Sequence, residues 1–171
     1  KLAMAEMYIN GVSTRKVNKV LKELCGLEIT GTQVSRASEL LDQELEKWRN
    51  RPLGHTPFVQ LDARYEKVRH GGSVINCAVL VATGVCIEGH RSVLGASVSL
   101  SEAEVHWREF LSSLKDRGLH GVTMITSDDH RGLKAALKSV FNGVSWNRCH
   151  AHLQRNASAQ VPKVAMRSAA A

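Results

Sequence analysis

The chain has 171 residues, 43% hydrophobic and 23% charged, with 23 Lys and Arg against 16 Asp and Glu, a formal charge of +7. This length and mix suit one globular domain with a small appendage and exclude a disordered or fibrous chain. No run of about 18 apolar residues is present, which excludes a hydrophobic membrane helix, and no signal peptide is evident.

The charge is unevenly placed. Residues 1–55 hold 9 basic and 7 acidic side chains, 56–129 hold 7 and 9, and 130–171 hold 7 basic and none acidic. A basic excess favours a polyanionic partner such as nucleic acid. Cys25, Cys77, Cys86 and Cys149 are scattered and suggest a reducing compartment rather than a disulfide framework.

Residues 1–50 read as helical. Ser13 or Thr14 can cap a helix through Leu24, with Val17, Val20, Leu21 and Leu24 on its apolar side. Gly26 is placed to end it. Thr30 or Thr32 can cap a second helix, whose stripe is Val34, Ala37, Leu40, Leu41, Leu45 and Trp48. Two helices joined by a short glycine turn have the outline of a helix-turn-helix, and the pattern is equally that of a plain helical hairpin. Arg15, Lys16 and Lys19 on the first helix and Arg36 on the second are candidate DNA contacts, or simply a solvated face. Residues 51–57, with Pro52, Gly54 and Pro57, form a linker.

Strands follow. The expected order is a strand over Phe58–Lys67, a hairpin turn at His70–Ser73, and an apolar strand over Val74–Ala82, read as covered on both faces. A turn at Thr83-Gly84 and a third strand over Val85–Ser99 come next. Ser101 is placed to cap a helix over Glu102–Arg117, with Val105, Phe110, Leu111 and Leu114 inward. A strand over Val122–Ser127, a helix over His130–Phe141, a strand over Val144–Trp146 and a helix over Cys149–Gln160 complete the pattern. Three sequential strands before alternating helices and strands predict an α/β fold with a mixed sheet, in the order of the ribonuclease H-like fold.

Two acidic residues stand at the ends of apolar runs: Asp62 after Phe58–Leu61 and Asp128 after Val122–Ser127. A carboxylate there is costly to desolvate unless a cation or hydrogen bonds compensate it. Side by side, Asp62 and Asp128 would make one metal site. Read separately, Asp62 is a strand-edge carboxylate and Asp128 a helix cap; Asp129 is read as the cap. Cys149 and His152 supply at most two ligands toward a zinc site that needs four, so packing beside the acidic site is the preferred reading. Arg148 and Arg155, with Lys163 and Arg167 in the tail, are further candidate phosphate contacts.

Several stretches, in order from Tyr8 to Pro162, resemble the Mutator-type transposases, which include bacterial insertion-sequence transposases. They are YINGVSTRKVNKVL (Tyr8–Leu21), QVSRASELLDQELEKWRNRPL (Gln33–Leu53), LDARYEKVR (Leu61–Arg69), GHRSVLG (Gly89–Gly95), SEAEVHWREFLSSLKDRGLHGV (Ser101–Val122), SDDHRGLKAAL (Ser127–Leu137) and WNRCHAHLQRN (Trp146–Asn156). The resemblance implies a DDE-type catalytic domain of ribonuclease H-like fold over residues 58–162. Such a domain uses Mg²⁺ or Mn²⁺ to cleave and transfer DNA strands at transposon ends. It places the first catalytic Asp on Asp62, the second on Asp128, and the family's Cys-x-x-His signature on Cys149 and His152. The expected partners are transposon-end and target DNA and other copies of the full-length protein, with no membrane, in the bacterial cytoplasm at the nucleoid. The family's third catalytic residue is a downstream Glu, and no Glu follows Glu109 here. Residues 163–171 depart from the pattern. The expectation is therefore a transposase fragment that is inactive by itself; the alternative is a non-catalytic DNA-binding module from a decayed transposase.

Overall fold

The computed structural model describes residues 7, 12–26 and 28–160. Tyr8–Gly11 of the first matching stretch, and the tail 163–171 with Lys163 and Arg167, lie outside the described residues. Their order is α1 (Thr14–Cys25), α2 (Gly31–Arg49), β1 (Phe58–His70), β2 (Ser73–Val85), β3 (Arg91–Ser99), α3 (Glu104–Asp116), β4 (Met124–Ser127), α4 (Arg131–Val140), β5 (Ser145–Arg148) and α5 (His150–Gln160). The chain divides into two units that meet in sequence between Arg51 and Pro52. Among the described residues no helix is long and apolar enough to cross a membrane.

In the first unit the caps are local. Ser13 accepts a hydrogen bond from the Lys16 backbone N–H, and Gly26 closes α1 in the left-handed conformation at φ 65°. Thr30 and Gln33 form a reciprocal capping box at the start of α2. Val17 is fully buried, packed by Met7, Val12, Leu21 and Ile29. Leu24, expected on the apolar side of α1, is 78% exposed. It belongs to the last turn, where Gly26 redirects the chain before a covering partner is reached. Arg15, Lys16, Lys19 and Arg36 are exposed. The two helices are thus each capped by neighbouring residues.

The second unit is built on a mixed five-stranded sheet in the order β3-β2-β1-β4-β5. The β1–β2 and β2–β3 pairs are antiparallel, and β1–β4 and β4–β5 are parallel. Gly71 and Gly72, at φ 56° and 80°, turn the first hairpin, where His70 pairs with Ser73. Two left-handed residues match the twist of the flanking strands.

The expected turn at Thr83-Gly84 is instead strand: both residues pair with β1, and the chain turns at Cys86–His90. Accordingly β3 begins at Arg91 rather than Val85. Gly84 serves as a space-saver, because a Cβ there would stand 2.6 Å from Thr56 Cγ2 and 2.8 Å from Leu94 Cδ2.

The core lies on one face of the sheet. Val59 and Leu61 of β1, Ala78, Leu80 and Ala82 of β2, and Ile125 of β4 meet Trp107, Leu111 and Leu114 of α3 and Leu133 and Ala136 of α4. The expectation that β2 is covered on both faces is corrected: Val79 and Val81 on the opposite face are only half-buried, and Val74 is 61% exposed. Helix α3 starts two residues later than expected. Ala103, not Ser101, is its N-cap, with no side-chain cap bond. Trp107 is fully buried on its inner face, while Val105 is 40% exposed. The Asp129 cap is also corrected, since α4 begins after His130 and Asp129 is drawn to Lys134.

Candidate functional site

The site begins with the pairing of β1 and β4. Phe58 stands beside Met124, Val59 beside Ile125 and Gln60 beside Thr126, a constant offset of 66 positions. The same 66 positions separate Asp62 from Asp128. Asp62 is within β1, on the side that alternates with the buried Val59 and Leu61. Asp128 is the first residue after β4, at the carboxyl end of a parallel strand. Ligand sites in parallel sheets gather at such strand ends, where helix-bound connections leave the sheet.

Asp62 is 54% exposed, and its Oδ1 accepts a hydrogen bond from the Ala63 N–H at 3.0 Å. His152 reaches it from α5, with Nε2 3.7 Å from Asp62 Oδ1. The other ring nitrogen of His152, Nδ1, is buried without a hydrogen-bond partner among the described residues. Cys149 acts through its backbone: its N–H donates to the Ser127 carbonyl at 2.6 Å and ties the start of α5 to the end of β4. Within the described residues, no three His, Cys, Asp or Glu side chains are close enough to hold a metal by themselves.

The end of β4 is fixed from below. Ser127 is fully buried; its hydroxyl accepts from Trp146 Nε1 at 2.9 Å and donates to the Asp128 carbonyl at 2.8 Å. Lys134 Nζ lies 4.7 Å from the centre of the Trp146 ring and 2.8 Å from Asp129 Oδ1. Arg148 stands 3.5 Å from Asp129 Oδ2. The hydrogen bond from Lys134, with the charges of Lys134 and Arg148, holds the Asp129 carboxyl below the usual range. Arg148, a candidate phosphate contact, therefore faces Asp129, whereas Arg155 is exposed on α5. No Lys or Arg among the described residues pairs with Asp62 or Asp128.

Sequence reasoning passed over Glu102. The late start of α3 leaves it in the segment between β3 and the helix, with its side chain only 13% exposed. Burial pushes its carboxyl up, His130 opposes this, and the charges of Asp128 and Asp62 push it up further. Its Oε2 is 4.0 Å from His130 Nδ1. The one available signal was an acidic residue just ahead of a helix, and that signal is common to ordinary first-turn carboxylates.

The family model described as Transposase, Mutator family, matches residues 1–171. The chain is 58% identical over 160 residues to the transposase for insertion sequence element IS406 of Burkholderia multivorans, covering 92% of this chain and 41% of that protein. It is 39% identical over 163 residues to the transposase for insertion sequence element IS256 in transposon Tn4001 of Staphylococcus aureus, covering 94% and 42%. The chain thus spans about two fifths of the length of these curated relatives. Among solved structures, the HTLV-2 integrase catalytic core domain in complex with magnesium superposes with a TM-score of 0.39 at 16% identity, over 63% of this chain and 68% of that one.

Proposed function

This chain belongs to the Mutator family of transposases, and from that premise we propose that it carries two carboxylates of a metal-dependent site for cutting and joining DNA at insertion-sequence ends. The observation that carries the reading is the β1–β4 register. Beyond its last pair, Gln60 with Thr126, the same offset of 66 would set Asp62 level with Asp128, paired strands being about 4.8 Å apart. The sheet order β3-β2-β1-β4-β5 supports a ribonuclease H-like catalytic domain, in which carboxylates of the first and fourth strands are used together.

The donor set fits a hard divalent cation. Mg²⁺ takes oxygen ligands, keeps several waters and needs only one or two protein carboxylates. Two carboxylates that share one site would repel each other until a cation joins them. Asp62 and Asp128 would hold Mg²⁺ or Mn²⁺. When bound at such a site, divalent ions activate the attacking water or 3′-hydroxyl and stabilise the leaving oxygen. His152 stands beside Asp62, and the Cys149–Ser127 hydrogen bond ties the start of α5, which carries His152, to the end of β4. The hydroxyl of Ser127 and the indole of Trp146 hold the strand end that presents Asp128.

DNA would be held by phosphate contacts from exposed cations, Arg15, Lys16, Lys19 and Arg36 on the helical hairpin and Arg155 on α5. Whether the hairpin reads bases as a helix-turn-helix is part of the same proposal.

The test uses a full-length relative, with strand cleavage of a transposon-end duplex measured in Mg²⁺ and in Mn²⁺. Replacing either Asp aligned with Asp62 or Asp128 by Asn should lower the rate by at least about 100-fold, the scale expected when a reacting group is misplaced by about 1 Å. Duplex binding should be retained. Full cleavage by either variant would overturn the assignment, while loss of duplex binding together with cleavage would favour a DNA-binding module without its own chemistry.

A further inference from the structure

Resting on DNA as the substrate proposed above, we infer that the free end of the β1–β2 hairpin is an arm that lies on duplex DNA and holds its phosphates with Lys67 and Arg69. The two strands outrun the sheet. β3 pairs with β2 only over Ala78–Val85, and β4 pairs with β1 only over Phe58–Gln60. Residues 66–70 and 73–77 therefore pair only with each other, and they meet at the Gly71-Gly72 turn. A two-stranded ribbon is at best marginally stable in water unless something packs against it. This one carries large exposed side chains: Tyr65 is 53% exposed and Val74 61%.

Alternation along the ribbon sorts its residues by face. Cross-strand partners share a face, so Tyr65, Lys67 and Arg69 stand with Ala78, Asn76 and Val74. That face has a phenol, an amide and two cations, and no acidic residue. The opposite face continues from Asp62 through Arg64, Glu66 and Val68, and there Arg64 Nε pairs with Glu66 Oε1 at 2.5 Å. Lys67 and Arg69 are exposed and pair with no carboxylate among the described residues. Charge decides the occupant. Phosphates complement this face, whereas a second copy presenting the same arm would set cation against cation. A two-stranded ribbon also has the width that the major groove of B-DNA admits.

Lys67 and Arg69 follow Asp62 by five and seven positions on one strand, about 17 and 23 Å at about 3.3 Å per residue. At that distance solvent and salt screen them, so they do not neutralise the carboxylates of the proposed metal site. The longer distance is also that of about seven base pairs of duplex. The arm would thus grip DNA beside the reacting phosphate rather than at it. Phosphate contacts of this kind position a duplex without reading its sequence.

The test is fluorescence anisotropy of the purified chain with duplexes of several sequences, across a range of salt and without metal. Wild type is compared with the pair Lys67→Gln and Arg69→Gln, with the charge-retaining pair Lys67→Arg and Arg69→Lys, and with Lys138→Gln, which removes an exposed cation on α4. Each phosphate contact contributes a slope of about 0.9 in log affinity against log salt. The Gln pair should bind every duplex more weakly, and its loss of affinity between roughly 50 and 200 mM salt should be about 10-fold smaller than that of wild type. The charge-retaining pair and Lys138→Gln should match wild type. Should the Gln pair melt lower than wild type, the single Gln variants decide, each with about half the change in slope. Wild-type affinity and slope in the Gln variants would overturn the inference, as would wild-type chain with no duplex affinity at low salt. Unchanged DNA binding with a lower sedimentation coefficient in the Gln pair would also overturn it and assign the arm to a second copy. The two-carboxylate site has its own readout in cleavage by the full-length relative. Full cleavage by the Asp variants would overturn that site and leave the arm standing.

Discussion

Glu102 is placed where its charge costs the metal-free fold free energy, and that has a consequence in pH. Its carboxyl is pushed above the ordinary Glu range, with burial the largest cause. A raised carboxylate pKa means that the folded state binds the proton more tightly than the unfolded chain does. Stability is then greatest below the ordinary Glu range and declines as pH rises through the raised value. In metal-free protein, Glu102→Gln should therefore raise the melting temperature near pH 7, and the gain should disappear as pH falls below about 4.3, where Glu is neutral even when unfolded. Thermal melts of both proteins across that range are the check, and a gain that persists at low pH would assign the effect to something other than the charge. Asp129 illustrates the opposite case, an exposed carboxylate lowered by Lys134 and Arg148.

At the scale of elements, the first turn of α4 is pressed against the backbone of the segment ahead of α3. The Gly132 approach involves backbone on the other side, which cannot rotate away as a side chain would. Gly132→Ala should destabilise the sheet unit by about 1–3 kcal/mol, the usual cost of overpacking. Denaturant unfolding measures the effect; a variant with unchanged stability would show that the segment yields freely. Gly84 makes a comparable approach, but to the side chains of Thr56 and Leu94. Those can shift, so a substitution there is the milder one.

For the whole molecule the governing quantity is charge. The net charge is +7, and no Asp or Glu follows Asp129 while seven Lys and Arg do. Part of that basic excess is already committed, since Arg148 and Lys134 both face Asp129. Arg15, Lys16, Arg36 and Arg155 are exposed, as is Lys19, which stands 3.9 Å from Glu23. Duplex binding by this chain should therefore be weakly sequence-dependent and strongly salt-dependent. With about six phosphates contacted, affinity should fall about 1,000-fold between roughly 50 and 200 mM salt. Fluorescence anisotropy with duplexes of several sequences tests this, and affinity that ignores salt would exclude phosphate contacts as its source.

What the sequence determined by itself was local. Ser13 and Thr30 stand among the candidate caps because a cap is made by residues three apart, and Gly71-Gly72 announces its turn because both positions require positive φ. Apolar runs ending in Asp62 and Asp128 marked the two strands for the same reason: the run and the carboxylate are adjacent in the chain. Tertiary structure decided what depends on partners far along the chain. The offset between β1 and β4 is set by pairing across 66 positions, and no local pattern encodes a register. Thr83-Gly84 reads as a turn, yet it is strand because β1 supplies partners for both residues and Gly84 must pass under Thr56 and Leu94. Trp107 rather than Val105 enters the core, because the rotation of α3 is chosen by the sheet it covers. Glu102 is half-buried for a related reason. Nothing beside it in sequence says so; a glycine thirty positions later brings α4 against its backbone.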